Sequence, residues 1–232
     1  MGDLDFGIDE QMMNEVVEAI NVAHSQGVQI AIVVGGGNIF RGVQGSASGM
    51  NRSRADQMGM MATVMNGLAL QDAIERAGLR AETFCAIEMP RIMKLFHHAE
   101  ASRALDEGVI CIFSGGTGNP FFTTDSAAAL RAGELKVDEV LKGTQVDGIY
   151  EADPREFPDA KRYESVSYTT CLQQRLKVMD ASAFAICQAE KLTLRVFNMH
   201  HEDALKRALL GEVKGTLVGV GLEDRFASTP SK

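Results

Sequence analysis

The loop at residues 114–125, SGGTGNPFFTTD, combines glycines with side chains that can donate and accept hydrogen bonds. It directly follows the apolar residues 109–113, whose pattern predicts a buried strand. Glycines let the backbone approach a ligand closely, and hydroxyl and amide groups suit a nucleobase edge, a ribose or a phosphate. A helix N-cap explains part of the Thr-Thr-Asp end of the loop, but not the Asn-Pro-Phe-Phe run before it. The polar side chains are Thr117, Asn119, Thr123 and Thr124.

A second glycine-rich segment, GGGN at residues 35–38, follows the apolar residues 28–34. Three glycines leave room for an anion beside the backbone, and the guanidinium of Arg41 can bind a phosphate through two nitrogens. A tight turn explains the glycines alone equally well. The chemistry at this segment therefore depends on what lies beside it.

Several classes of function are disfavoured by the sequence. It contains no GxxxxGK[ST] motif, and GGTG at residues 115–118 does not match GxGxxG after a first strand, which disfavours P-loop kinases and nicotinamide enzymes. A net charge of −8 argues against a general affinity for nucleic acid. The four cysteines form no CxxC pair and are interpreted as reduced thiols of the core.

Apolar runs and helical patterns alternate along the 232 residues. Such alternation predicts an α/β fold, a three-layer αβα sandwich with a mainly parallel central sheet. The carboxyl ends of the strands then gather the glycine-rich loops at one edge, where ligands bind. We expect a single domain over residues 1–232, with a frayed tail from residue 226. The predicted helices are 10–26, 55–77, 99–106, 126–132, 168–176, 181–190 and 202–210, and the predicted strands are 28–34, 81–87, 109–113, 137–142, 193–197 and 216–220.

Five blocks of sequence carry the most specific signal. They are GGGNIFRG at residues 35–42, DQMGM at 56–60 with MNG at 65–67, GTGNPFFTTD at 116–125, VDGIY at 146–150 with ADP at 152–154, and KVMD at 177–180. Together they closely resemble the bacterial uridylate (UMP) kinase family of the amino-acid-kinase fold, over about residues 6–218. The third block is close to diagnostic, because acetylglutamate kinases and aspartokinases of the same fold differ there.

The resemblance implies a UMP-binding part at about residues 1–135 and an ATP-binding part at about 136–225. In the UMP-binding part, the carboxylate of Asp56 is expected to accept hydrogen bonds from the ribose hydroxyls. The implied UMP contacts are Gly36, Asp56, Thr117, Gly118, Asn119, Pro120, Phe121, Phe122, Thr123 and Thr124, and the implied ATP contacts are Gly37, Arg41, Thr144, Tyr150 and Asp153.

The implied reaction transfers the γ-phosphoryl group of ATP to UMP and gives UDP, a step of pyrimidine nucleotide biosynthesis. The UMP phosphate is largely ionised at neutral pH and needs little help from a base. Catalysis then consists of aligning two polyanions and neutralising charge, with Mg²⁺ carried by the ATP phosphates. Arg41 is the first candidate for neutralisation and Lys142, just past a predicted strand end, is the second, while Asp180 is a candidate for orienting a lysine. An ordinary exposed lysine and an ordinary helix cap remain alternatives for Lys142 and Asp180.

The start of the chain departs from the family pattern. Family members begin with a strand and a Lys-x-Ser-Gly-Glu loop whose lysine contacts ATP phosphates, whereas MGDLDFGID at residues 1–9 resembles the family just downstream of that loop. We expect roughly twenty upstream residues to be absent. On this hypothesis the complete protein is an active kinase, and the 232 residues alone are weakly active or inactive.

The resemblance also implies a homohexamer, to whose dimer contact the methionine-rich helix at residues 55–77 contributes, and regulation by GTP as activator and UTP as inhibitor. Two alternatives stay open: a UMP-binding or regulatory protein that has lost catalysis, and a related kinase acting on CMP or another small anion. The histidine pairs at residues 97–98 and 200–201 are interpreted as surface residues, so no protein metal site is expected. The lack of a long apolar run and the acidic N-terminus predict a cytoplasmic protein without membrane contact.

Overall fold

The structure is a computed structural model that describes residues 7–40, 49–176 and 178–227. The chain divides into two compact units, Met1–Ala127 and Ala128–Lys232. Both units contain strands and helices, and five of the seven strand pairings in the described residues are parallel. The predicted α/β class with mainly parallel pairing is therefore confirmed.

The first unit contains a four-stranded sheet in the order β1-β4-β2-β3, with every pairing parallel. Strand β4 is buried along its whole length, and the ring of Phe113 on β4 stacks on that of Phe84 at a centroid distance of 5.8 Å. Helix α2 packs on β2 and β4, and α3 packs on β4. The elements are α1 (Glu10–Ser25), β1 (Ala31–Val33), α2 (Arg52–Arg76), β2 (Ala81–Cys85), β3 (Lys94–Leu95), α3 (His98–Asp106), β4 (Ile110–Ser114) and α4 (Thr124–Leu135), which contains the boundary between the units.

Pairing of β1 with β4 places the two glycine-rich segments at the same edge of this sheet. Val33 on β1 lies opposite Phe113 on β4, and the strands run in the same direction. Each strand ends one or two residues before its glycines, so GGGN and SGGTGNPFFTTD both begin at the carboxyl edge. This is the arrangement that the alternating pattern predicts.

The second unit contains a five-stranded sheet in the order β5-β7-β8-β6-β9. The pairs β5–β7 and β6–β8 are parallel, whereas β7–β8 and β6–β9 are antiparallel. Its core is built around fully buried side chains such as Leu194, Val196, Val218 and Phe184. The elements are β5 (Val140–Thr144), β6 (Tyr163–Ser167), α5 (Tyr168–Gln173), α6 (Ala181–Ala189), β7 (Leu194–Asn198), α7 (Ala204–Leu209), β8 (Thr216–Gly219) and β9 (Arg225–Phe226).

Four strand assignments differ from the sequence prediction, and one of them is the two-residue strand β3, which was not predicted. Strand β5 extends to Thr144 because its parallel pairing with β7 continues to Asn198, so Lys142 lies in the middle of the strand and not just past its end. Strand β6 was missed, since YESVS carries no apolar run and pairs only with strands far along the chain. Phe226 belongs to β9 and not to a frayed tail, because its ring stacks on Tyr163 at 4.5 Å.

The cysteine prediction is confirmed. Cys85, Cys111, Cys171 and Cys187 are all free and buried. Burial raises the pKa of the Cys111 and Cys171 thiols to about 12, so both remain protonated near neutral pH. Within the described ranges, no helix combines the length and the apolar character needed to cross a membrane.

Candidate functional site

The GGGN segment forms a tight turn pressed against α2. The backbone N–H groups of Ile39 and Phe40 both donate to the carbonyl oxygen of Gly36, at 3.0 and 2.9 Å. A Cβ atom at Gly36 would lie 2.6 Å from the carbonyl oxygen of Gly59 and 2.8 Å from Cβ of Ala62. Only glycine fits at position 36, because any side chain there would force the turn away from the helix.

Two asparagine side chains hold this turn in place. Nδ2 of Asn66, on α2, donates to the carbonyl oxygen of Gly35 at 2.7 Å and to Oδ1 of Asn38 at 2.7 Å. Asn38 returns a hydrogen bond to Oδ1 of Asn66 at 3.1 Å and also donates to the carbonyl oxygen of Gly7 at 2.7 Å. The turn is therefore fixed by side chains before any ligand is considered. Neither asparagine was assigned a role from the sequence, although both lie inside blocks that carry the family resemblance.

The loop after β4 depends on residues in left-handed backbone conformations. Its glycines Gly115, Gly116 and Gly118 have φ angles of 78°, 59° and 78°, and Phe121 has a φ of 72°. Gly115 donates its N–H to the hydroxyl oxygen of Thr63 on α2 at 2.7 Å. The conformation of Phe121 is unfavourable for a residue with a side chain, so contacts elsewhere must compensate for it.

The polar side chains of this loop engage mostly with their own neighbours. The hydroxyl of Thr117 donates to the carbonyl oxygen of Asn119 at 3.2 Å, and Asn119 donates back through its backbone N–H and its Nδ2. The hydroxyl oxygen of Thr123 accepts from the N–H of Asp125 at 3.1 Å, at the start of α4. The side chains of Phe121 and Phe122 are exposed. The loop thus presents apolar rings beside ordered polar groups.

Asp56 connects α2 to this loop. Its Oδ2 accepts the backbone N–H of Phe121 at 2.8 Å, and both of its oxygens accept from Nε of Arg52, at 2.8 and 2.9 Å. The Asp56 side chain is only 11% exposed. The guanidinium carbon of Arg52 lies 5.7 Å from the centre of the Phe121 ring. Arg52 was not singled out from the sequence.

The structure brings the implied UMP contacts together at one edge of the first sheet. Asp56 meets the loop after β4 through Phe121, and the turn after β1 meets it near Thr124, whose Oγ1 lies 3.6 Å from the Cβ position of Gly35. Two of the ten contacts, Gly36 and Asp56, lie outside that loop. The others belong to the loop or to the first turn of α4: Thr117, Gly118, Asn119, Pro120, Phe121, Phe122, Thr123 and Thr124.

The implied ATP contacts of the second unit lie in and after β5. The hydroxyl of Thr144 donates to the carbonyl oxygen of Val146 at 2.7 Å and closes a local turn. Tyr150 forms an isolated β-bridge with Arg162. Burial, and to a smaller extent the negative charge of Asp147, raises the pKa of the Tyr150 hydroxyl. The Oδ1 atom of Asp153 accepts the N–H of Arg155 at 3.0 Å, within another local turn.

The catalytic candidates have separate surroundings. Lys142 lies two residues before Thr144 on β5, so both side chains share one face of that strand. Asp180 caps α6, because its Oδ1 accepts the N–H of Ala183 at 2.9 Å. Gly37 lies in the turn after β1. Arg41, which was the first candidate for charge neutralisation, lies outside the described residues.

Asp147 forms a polar cluster that the sequence analysis did not identify. Its Oδ1 accepts from Nδ2 of Asn198 at 3.0 Å and contacts Nε2 of His201 at 2.9 Å. The hydrogen bond from Asn198, and after it the hydrogen bond from His201, are the largest causes of the lowered pKa of the Asp147 carboxyl. Its position inside the VDGIY block is the feature of the sequence that could have pointed to Asp147. In the part of the chain that the structure describes, no group of three or more His, Cys, Asp or Glu side chains could hold a metal ion.

Comparison with known proteins identifies the family and the structural relatives of this chain. The Amino acid kinase family matches residues 6–198. The crystal structure of UMP kinase from Bacillus anthracis is 30% identical with a TM-score of 0.92, covering 98% of this chain and 93% of that one. UMP kinase from Ureaplasma parvum is 38% identical with a TM-score of 0.86, covering 91% of this chain and 90% of that one. Uridylate kinase from Archaeoglobus fulgidus is 27% identical with a TM-score of 0.70, covering 91% and 94%. The resemblance to UMP kinases is confirmed, and the chain belongs to the amino acid kinase family.

Proposed function

We propose that this protein is a UMP kinase, which transfers the γ-phosphoryl group of ATP to UMP and releases UDP. One observation carries the proposal. In a chain whose structural relatives are UMP kinases, the GGGN turn, the Asp56 carboxylate and the loop after β4 converge at one strand edge. We further propose that the reaction serves pyrimidine nucleotide biosynthesis.

The UMP site is proposed to use Asp56 as the acceptor for ribose hydroxyls. A carboxylate has about four lone-pair sites, and the contacts from Arg52 and Phe121 leave capacity for a ligand. The polar groups of Thr117 and Asn119 are proposed to hold uracil by exchanging their local hydrogen bonds for bonds to the base. Because Gly36 has no side chain, its backbone can lie close to the nucleotide.

The proposed ATP contacts of the second unit are Thr144, Tyr150 and Asp153, and Gly37 and Arg41 are further proposed ATP contacts. Lys142 is a reasonable partner for the phosphates because it shares a strand face with Thr144. Mg²⁺ binds oxygen ligands and usually keeps several waters, so the ATP oxygens would hold it without a cage of protein side chains. When bound there it neutralises charge on the phosphates. For Asp180, helix capping is observed, and a role in orienting a lysine stays a proposal.

A coupled assay of UDP formation tests the proposal. With ATP, Mg²⁺ and a panel of UMP, CMP and small carboxylate acceptors, the account expects UMP to be the preferred acceptor. Asp56→Asn is expected to lower kcat/KM for UMP by about tenfold or more, since a charged hydrogen-bond acceptor is lost. The matched control is Asp72→Asn, because Asp72 lies on the same helix and forms the same kind of pair with Arg76 while remaining exposed.

Three results would point elsewhere. A preference for CMP would mean that Thr117 and Asn119 have been misinterpreted. UMP binding without UDP formation, both in this chain and in one extended upstream, would favour a UMP-binding or regulatory protein. Equal effects of the Asp56 and Asp72 variants would remove Asp56 from the UMP site.

We also propose a homohexamer, regulation by GTP and UTP, a cytoplasmic location and a single domain with its UMP part at about residues 1–135. An apolar stripe on one face of α2 supports the subunit contact. It consists of Met58, Met61, Met65 and Leu68, which are all exposed. Sedimentation of Met65→Glu is expected to show smaller assemblies than the unsubstituted chain, and an unchanged hexamer would exclude this face.

A further inference from the structure

Arg52 lies at the start of α2 and touches two residues of the proposed UMP site. Its Nε donates to both oxygens of Asp56, and its guanidinium carbon lies 5.7 Å from the centre of the Phe121 ring. Asp56 in turn accepts the backbone N–H of Phe121 at 2.8 Å. The three residues form a closed set of contacts between α2 and the loop after β4.

The same helix provides a comparison. Asp72 and Arg76 have the i, i+4 spacing of Arg52 and Asp56, and their N···O distance is 2.9 Å. Their side chains are 68% and 72% exposed, whereas Asp56 is 11% exposed and Arg52 39%. An exposed pair of this kind contributes little to stability. Only the Arg52–Asp56 pair also holds a loop that is remote in sequence.

The backbone of Phe121 explains why such a set of contacts is needed. Its φ angle of 72° lies in the left-handed region, which is unfavourable for a residue with a Cβ atom. The residue is 65% exposed, so burial does not hold it in place. The hydrogen bond to Asp56 and the guanidinium over the ring are the described contacts that favour this conformation.

We propose that Arg52 is a positioning residue for the nucleoside monophosphate. This role rests on the proposed UMP site. Arg52 holds the Asp56 carboxylate and the Phe121 segment in their binding geometry before the substrate arrives. A site organised in advance does not lose binding energy in ordering its loop, so the contribution of Arg52 lies in UMP affinity. The chemical step and the affinity for ATP do not depend on it.

A double-mutant cycle with UMP titration tests this role. Arg52→Ala is expected to weaken UMP binding by about tenfold, as after loss of a charge-assisted hydrogen bond, with kcat at saturating UMP and KM for ATP unchanged. Combined with Asp56→Asn it is expected to add little, because both changes break the same contact. Arg52→Lys keeps the charge without the planar fork and is expected to restore binding only in part. The control Arg76→Ala is expected to bind UMP like the unsubstituted chain.

The outcomes separate this inference from the proposed function. If the unsubstituted chain binds UMP and Arg52→Ala binds it equally well, the positioning role is overturned while the proposed function stands. Additive losses in the cycle, or a fall in kcat with unchanged UMP affinity, also overturn it. If the unsubstituted chain binds no UMP, the proposed UMP site itself is wrong. Thermal unfolding shows whether Arg52→Ala remains folded, and Arg52→Lys provides the answer if it does not.

Discussion

The two sets of loops that carry the proposed substrate contacts are held in different ways. In the first unit, the contacts cross long stretches of chain: Asp56 bonds Phe121, Asn66 bonds Gly35, and Thr63 bonds Gly115. In the second unit, Thr144 and Asp153 each close a turn with a residue two positions away. Side chains of helix α2 therefore organise the UMP loops, whereas the proposed ATP loop combines local turns with contacts to β7 and to the core of its own unit.

The second unit also has long-range contacts to its loop, because Asp147 bonds Asn198 and His201, and Thr216 supports the loop from the core. The hydroxyl of Thr216 donates to the carbonyl oxygen of Tyr163 at 2.6 Å and accepts the N–H of Ile149 at 2.8 Å. Thr216 is fully buried, and Gly148 packs against it. We therefore expect UMP binding to be sensitive to side chains of α2, and the proposed ATP loop to be sensitive to the buried hydroxyl of Thr216.

Gly36→Ala is expected to give the largest effect. Its Cβ would overlap the backbone of Gly59, so the turn would be displaced from α2. A displacement of about 1 Å can cost on the order of 100-fold in rate, and kcat/KM for UMP is expected to fall by that order. Steady-state kinetics measures this fall. The neighbouring variant Gly35→Ala is the control, because a Cβ atom at position 35 would lie 3.6 Å from Thr124 and therefore fits. Similar values for the two variants would contradict the close packing.

Thr216→Val is expected to destabilise the second unit. It leaves the N–H of Ile149 without its acceptor and the carbonyl oxygen of Tyr163 without its donor, both in the core. Such a loss costs about 1–3 kcal/mol of unfolding free energy, measurable by urea denaturation. KM for ATP is expected to rise, whereas UMP affinity should not change. Thr193→Val is the control, and equal stability of the two variants would remove Thr216 as the support of this loop.

Asn66→Ala tests whether helix α2 holds the GGGN turn in place for UMP. Loss of its hydrogen bonds to Gly35 and Asn38 frees the GGGN turn from α2. KM for UMP is expected to rise by about tenfold, which corresponds to one or two hydrogen bonds, with a smaller rise in KM for ATP because Gly37 of the same turn is a proposed ATP contact. Gln71→Ala, on the same helix, serves as the control. A larger effect on ATP than on UMP would break the assignment of the turn to UMP.

The smallest effect is expected from Asp147 and depends on pH. Hydrogen bonds from Asn198 and His201 lower its pKa in the folded state, so the stability it contributes is fully present above its unfolded pKa of about 3.9. That contribution is lost as the pH falls through the lower folded value. The effect is small because the side chain is half exposed. As the pH is lowered from about 7 to about 3, the denaturant midpoint should fall less for Asp147→Asn than for the unsubstituted chain. The control Asp159→Asn should behave like the unsubstituted chain. Equal falls for all three proteins would contradict the role of Asp147.

The local features of the fold could be predicted from the sequence. The cap at Asp9 accepts from the N–H groups of Gln11 and Met12, and helix α1 begins at Glu10 as the pattern indicates. The loops after β1 and β4 lie at one edge because alternating strands and helices impose parallel pairing. Capping, periodicity and connection rules act over a few residues, so they can be seen in the sequence.

The interactions that define the site could not be predicted in the same way. Arg52 precedes the predicted helix at residues 55–77, and its contact with Phe121 joins positions far apart in the chain. The left-handed backbone of Phe121 carries no glycine as a signal. The extension of β5 beyond Lys142 depends on its pairing with β7, and strand β6 depends on its pairing with β8 and β9. Long-range pairing decides these features, and residue type alone does not reveal it.

A crystal structure of the protein with UMP would show where the nucleotide binds. The account predicts that the ribose hydroxyls lie within hydrogen-bonding distance of Asp56, with uracil against residues 117–124 and the phosphate beside the GGGN turn. UMP bound elsewhere, with Asp56 and Phe121 unchanged and without contact to it, would contradict the account.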